Sequence, residues 1–140
     1  MEKEDLIWTE IACNSYNENT SKFNEKQRLL SNYIDLYTEL EGGASVFVYN
    51  KIPSQEFNSY INTLNYIGLD ILSNELLEIK NIMDNDKNMH NESWEECFTR
   101  LNLETKFIKL DELFESLNLG TRITDWILEN QEILTENLSL

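Results

Sequence analysis

The chain is expected to fold as an all-α single domain spanning residues 1–140, an orthogonal array of about six to seven helices. Three observations predict this. Apolar residues recur at the 3.6-residue period through most of the sequence. One proline and four glycines in 140 residues leave room only for short joints between helices. No heptad persists long enough for a coiled coil.

The first helix is expected over Glu4 to Ala12, burying Trp8 and Ile11, with a polar loop from Asn14 to Asn24. A second runs from Glu25 to Leu40, its apolar positions Leu29, Leu30, Tyr33, Ile34, Tyr37 and Leu40 following the helical period. Gly42-Gly43 ends it, because glycine tolerates the positive φ of a helix terminus. Ala44 to Tyr49 is β-branched and aromatic, which locally suggests a strand. With no second strand-like run to pair with, it is read as a short buried helix. Pro53 suits the first turn of the next helix, which carries Phe57, Tyr60, Ile61, Leu64 and Ile67 and stops at Gly68. Asp70 is expected to cap a helix with Leu72, Leu76, Ile79 and Met83 inward. After a polar loop from Asp84 to Asn91, Ser93 and Glu96 form a capping box for a helix holding Trp94, Cys97, Phe98 and Leu101. Leu110, Leu113, Phe114 and Leu117 mark the next helix, ended by Gly120. Ile123, Trp126 and Ile127 mark the last, starting near Thr121. The abundant asparagines fall between these stretches, where their side chains favour caps and turns. Trp8, Trp94 and Trp126 are expected mainly in the core.

Hydrophobic residues make up 41% and aromatics 11%, too apolar a mixture for intrinsic disorder. No apolar run is long enough to cross a bilayer. The start, Met1-Glu2-Lys3-Glu4-Asp5, lacks the basic and apolar regions of a secretory signal, so the expected location is the cytoplasm. Cys13 and Cys97 suit buried reduced thiols rather than a disulfide framework.

Charge is the strongest signal. The chain has 26 acidic and 11 basic residues, a formal net charge of −15. Residues 1–70 carry 11 acids and 5 bases, and residues 71–140 carry 15 and 6. The last thirty residues hold seven acids and only Arg122. Such a surface repels nucleic acid and anionic lipid and attracts basic proteins, though the same charge also serves solubility.

Catalytic patterns are weak. The single histidine, His90, lies in a polar loop with no nucleophile elbow nearby, and a zinc site needs several N or S ligands. Gly42-Gly43 lacks the Lys and Ser/Thr of a phosphate-binding loop. Asp84, Asp86, Asn88 and Glu95 have calcium-loop spacing, but Met89 stands at the turn glycine's position and Asn91 at the apolar one, so no metal and no cofactor is expected. Asp125, Glu129, Glu132 and Glu136 recur at i, i+4, i+7 and i+11, which on a continuous helix makes one acidic stripe. Asp111 and Glu115 repeat the spacing. Successive carboxylates about 5–6 Å apart at Cβ approximate the spacing of backbone phosphates, so the stripe could occupy a site built for DNA.

From Glu39 to Asn50 the chain resembles a bacterial all-helical family that includes acidic DNA-mimic proteins. The family pattern is an acid, then Asn-Gly-Gly-Phe, then Gln-Phe-Phe-x-Asn. Gly42, Gly43, Phe47 and Asn50 match, whereas Glu41, Ala44 and Val46 depart from it. Leu64 to Leu69 and the segments Leu110 to Phe114 and Ile123 to Ile127 resemble later stretches of the family in order and spacing. The resemblance implies an all-α fold, no known enzymatic activity, and DNA mimicry as a possible role. The Gly-Gly motif also reads as a tight helix joint that Phe47 and Asn50 lock by packing and capping.

Three function classes follow. The first is a non-enzymatic module whose acidic face, carried by Asp111, Glu115, Asp125, Glu129 and Glu132, meets a basic protein: a DNA-binding regulator, or a cationic toxin held by an immunity-type antitoxin. The second is a small enzyme with a carboxylate site near Gly42-Gly43. The third is a plain domain with a solubility charge. One continuous acidic face favours the first, a deep polar pocket the second, and scattered acids the third.

Overall fold

The computed structural model describes residues 2–52, 54–86 and 91–140, with the backbone alone at Val46, Tyr49 and Trp94. Among these the fold is all-α, with no strand. The expected Pro53 turn, His90 and the Trp94 side chain lie outside the described residues.

Helix α1 (Lys3–Tyr16) buries Ile7 and Ile11. It runs a turn beyond Ala12, and in that turn Asn14 Nδ2 donates to Glu10 O and Ser15 Oγ to Ile11 O, both at 2.8 Å. Glu18 then turns left-handed at φ 57° and Asn19 N–H donates to Asn14 O at 2.8 Å, closing the helix end. Helix α2 (Glu25–Glu41) starts at a capping box: the Asn24 side chain accepts from Gln27 N–H, and the Gln27 side chain accepts from Asn24 N–H.

Helix α3 (Ala44–Lys51) is the short buried helix expected there. Ala44, Phe47 and Val48, at i, i+3 and i+4, are all buried. Helix α4 (Phe57–Ile67) presents Phe57, Tyr60, Ile61 and Leu64 to the core. Its end is fixed by Gly68 at φ 88°, with Leu69 N–H donating to Leu64 O at 2.8 Å and Gly68 N–H to Asn65 O at 3.2 Å.

Helix α5 (Asp70–Asp84) buries Leu72, Leu76, Ile79 and Met83, as its periodicity predicts. Asp70 does not cap it: Leu69 occupies the N-cap position. The Ser73 hydroxyl instead donates to Asn65 Oδ1 at 2.5 Å, tying α5 to the end of α4. Helix α6 (Trp94–Arg100) has half of the expected capping box, since Glu96 N–H donates to Ser93 Oγ at 3.2 Å without the reciprocal bond among the described residues.

Helix α7 (Glu104–Ser116) begins well before Leu110, and helix α8 (Leu119–Glu129) begins before Thr121. The joint between them is Asn118 at φ 50°, not Gly120, which lies inside α8. Asn102 and Asn137 also take positive φ, 55° and 62°, in keeping with the turns expected of the asparagines, and only at Asn118 does asparagine replace an expected glycine. Asn130, at φ −116° and ψ 18°, interrupts the helix before the single turn α9 (Gln131–Leu134).

The helices pack in a closed circuit. α2 lies against α1 and α4, α5 against α4 and α7, and α8 against α7 and α1. α3 bridges α2 and α7, while α9 rests on α1, α2 and α8. One hydrophobic cluster runs through all of them. Trp8 and Trp126 flank that cluster half-buried rather than sitting within it, and Trp8 meets Tyr33 and Tyr37 edge-on at centroid distances of 6.1 and 6.0 Å. Of the two thiols only Cys97 is buried; Cys13 is exposed, because α1 continues past it with the opposite face inward. No described helix is long and apolar enough to cross a membrane.

Candidate functional site

The acidic residues divide according to whether a base reaches them. On one flank of α7, Lys106 donates to Glu78 at 2.6 Å and Lys109 to Glu75 at 2.7 Å, a ladder that ties α7 to α5. The Lys106 ammonium holds the Glu78 carboxyl below its usual range, and Glu75 raises the Lys109 ammonium. On the opposite flank, Glu104, Ile108, Asp111 and Glu115 follow one another at i, i+4, i+7 and i+11, along one line of a continuous helix. All four are exposed, and the three carboxylates have no basic partner among the described residues.

The expected stripe from Asp125 to Glu136 is not continuous. Asp125 and Glu129 share a face of α8, but the break at Asn130 puts Glu132 on α9. Glu136 lies beyond α9, and its carboxylate accepts from Asn24 Nδ2 at 3.0 Å. Buried Gln27 explains the break: its Nε2 donates to Leu134 O at 3.0 Å and to Glu136 O at 2.8 Å, folding the C-terminal turn onto α2. Asp125, Glu129 and Glu132 remain exposed and unpaired among the described residues. Glu129 and Glu132 border a depression of about 360 Å³ with exposed Leu128 and Ile133, and Lys26 reaches its edge to meet Asn130 Oδ1.

A larger groove, about 420 Å³, lies between the start of α3, α6 and the unpaired flank of α7. Phe98 and Phe107 form its floor, edge-on at 4.6 Å between centroids. Glu95, Glu104 and Asp111 line it, and Ile108 is 60% exposed at its side. Of its lining, Asp111 was singled out from sequence as partner-binding, Glu95 as a calcium-loop position and Gly43 as part of the Gly-Gly motif near which the alternative carboxylate site was expected. Glu104 and Ile108 carried a signal in the spacing from Glu104 to Glu115, hidden because the apolar pattern marks that helix only from Leu110.

The calcium-like loop holds its own cation. Asp84 accepts from Lys80 at 2.8 Å. The Arg100 guanidinium takes Asp86 with two bonds, at 2.8 and 2.6 Å, and also binds Glu92, from Nε at 2.7 Å and from Nη2. Asp86, Glu92 and buried Cys97 come close enough to share a metal ion. However, the guanidinium already bonds both carboxylates, and burial followed by those two acids pushes the Cys97 thiol up, disfavouring the thiolate a metal needs. Asn88 and Met89 lie outside the described residues.

The Gly-Gly motif is a joint. Gly42 ends α2 at an ordinary φ of −76°, whereas Gly43 at φ 114° and ψ 134° adopts a backbone that only glycine takes readily. Phe47 is fully buried, 5.8 Å from the Tyr60 ring. Asn50 is exposed and makes no capping bond among the described residues, so packing rather than capping locks this joint.

Compared with known proteins, the chain matches no protein family, and neither a curated protein nor a solved structure is significantly similar to it.

Proposed function

We propose that this chain is a non-enzymatic binding module whose acidic surface meets a basic protein. The observation that carries the reading is the uneven pairing of its charge. Lys51, Lys80, Arg100, Lys106 and Lys109 are engaged with acids elsewhere. Asp111, Glu115, Asp125, Glu129 and Glu132 are left exposed without a base among the described residues. Like charges at i, i+4 cost about 0.2–0.5 kcal/mol per pair in an isolated helix, so the unpaired rows on α7 and α8 do not serve the fold. They do raise the local concentration of a cationic partner.

A DNA-binding regulator, engaged on the face that normally receives DNA, is the version of this reading that the resemblance around Gly42, Gly43, Phe47 and Asn50 supports. The test is to isolate the partner from the native host and challenge the complex with duplex DNA. A basic partner released by DNA supports the regulator version. A basic nuclease whose activity the chain inhibits would assign it to the antitoxin version. A neutral or acidic partner, held equally at low and high salt, would overturn both.

A further inference from the structure

The residues from Leu119 to Glu136 have the pattern of one amphipathic helix yet fold as two. Asp125, Glu129, Glu132 and Glu136 recur at i, i+4, i+7 and i+11. Ile123, Ile127 and Leu134 recur at i, i+4 and i+11, on the opposite side of the same continuous helix. Both rows run through Asn130, where the helix breaks. There Asn130 N–H is shared between Trp126 O and Ile127 O, at 3.2 Å each, and its side chain donates to Trp126 O at 2.7 Å. Among the described residues no backbone bond joins Gln131 to Ile127 or Ile133 to Glu129, as a continuous helix would require.

What holds the bend lies outside the segment. From the start of α2, Asn24 Nδ2 donates to Ile133 O and to the Glu136 carboxylate, and Gln27 Nε2 donates to Leu134 O and Glu136 O. Lys26 donates to Asn130 Oδ1, and Leu134 is fully buried where α9 meets α1, α2 and α8. The bent form therefore exchanges backbone helix bonds for bonds to two side-chain amides and one buried leucine. These contributions oppose one another, and each is modest on its own.

We propose that α8 and α9 form a two-state element. In the bent state, described above, Asn24 and Gln27 clasp the C-terminal turn. In the straight state one helix from Leu119 to Glu136 presents Asp125, Glu129, Glu132 and Glu136 as a single row about 16 Å long. Repulsion along that row favours the bent state in the free protein. A basic surface laid along the row removes the repulsion and meets four carboxylates in line. It therefore binds the straight state better and shifts the population toward it. The proposal rests on the basic-partner reading above for its ligand, and adds that the partner offers an extended cationic segment rather than a single point of charge.

The experiment records backbone Cα chemical shifts of the full chain by NMR. Gln27→Ala alone frees the turn but leaves the Asn130 bond to Trp126 O in place, so the test variant is Gln27→Ala/Asn130→Leu. It should give helical shifts without interruption from residue 119 to 136, whereas wild type shows a break at Asn130. Unchanged shifts in α4 and α5 verify its fold. Asn130→Leu alone, which alters no fully buried side chain, should show the same change in part. Oligolysine added to wild type at low salt should move residues 128–136 toward the shifts of the double variant and release the side-chain amide signals of Asn24 and Gln27. The double variant, already straight, should bind oligolysine several-fold more tightly. Coil-like shifts over residues 130–138 in both variants would overturn the straight state. Oligolysine that binds both proteins equally, without moving residues 128–136 of wild type, would overturn the switch and leave the basic-partner reading intact. No binding by either protein at low salt would overturn that reading, whatever the shifts of the variants show.

Discussion

Tyr33 and Tyr60 are almost fully buried, and burial is the main reason both phenols are pushed far above the usual 10.0. Tyr60 donates to Asp35 at 3.1 Å and Glu56 at 3.2 Å, so ionising it would also set three negative charges together. A raised folded-state value means that the unfolded chain loses these protons first. Their contribution to stability is therefore fully present below about pH 10 and is lost as pH rises beyond it. An absorbance titration should show Tyr33 and Tyr60 ionising only as the fold is lost. Thr63 is wholly buried, and its hydroxyl has no partner among the described residues, so Thr63→Val should be neutral or stabilising by about 1 kcal/mol in denaturant unfolding. Trp126 is half-buried beside the core, and Trp126→Ala should cost about 1–3 kcal/mol, less than the about 3–5 for a fully enclosed aromatic. Sequence identified Tyr33, Tyr60 and Trp126, though not Thr63, as apolar or aromatic partners of helices but did not rank their burial, because the stripe of a helix says which face is inward and not how much chain covers it.

At the scale of the element, helical periodicity carried most of the fold. The stripes of α4 and α5 correspond to buried residues nearly position by position, whereas in α2 Leu30, Tyr33 and Leu40 are buried, Leu29, Ile34 and Tyr37 only partly, and Leu36 and Gln27 also turn inward. Helix ends were less legible, since they are set by single backbone conformations: Asn118 and not Gly120 turns left-handed, and the left-handed residue after α1 is Glu18. Least legible was the amide of Gln27. Glutamine in a helix usually faces solvent, yet this one is buried and holds the carbonyls of Leu134 and Glu136 from more than a hundred residues away. Gln27→Ala leaves those carbonyls and the Asn24 N–H without their partner. It should destabilise the protein by about 1–3 kcal/mol and increase hydrogen exchange selectively in residues 131–138.

Across the whole molecule, total charge was plain in the composition, but its pairing was not. That depends on which helices become neighbours. Placing α5 beside α7 engages Lys106 and Lys109 and leaves the other flank of α7 acidic. The single stripe expected over residues 125–136 became two exposed carboxylates on α8 and one on α9 once Asn130 broke the helix. The resulting surface is neither one uninterrupted acidic face nor a random scatter. The central claim is that its unpaired carboxylates attract a basic partner. The most direct measurement is the association rate of wild type and of the Glu129→Lys/Glu132→Lys variant with the isolated partner, at low and at about physiological salt. The account predicts a wild-type rate that falls steeply with salt, as screening over about 8–10 Å requires, a variant that associates roughly tenfold more slowly at low salt, and unfolding that is unchanged or slightly improved. Equal rates for the two proteins at both salts would contradict it and assign the charge to solubility alone.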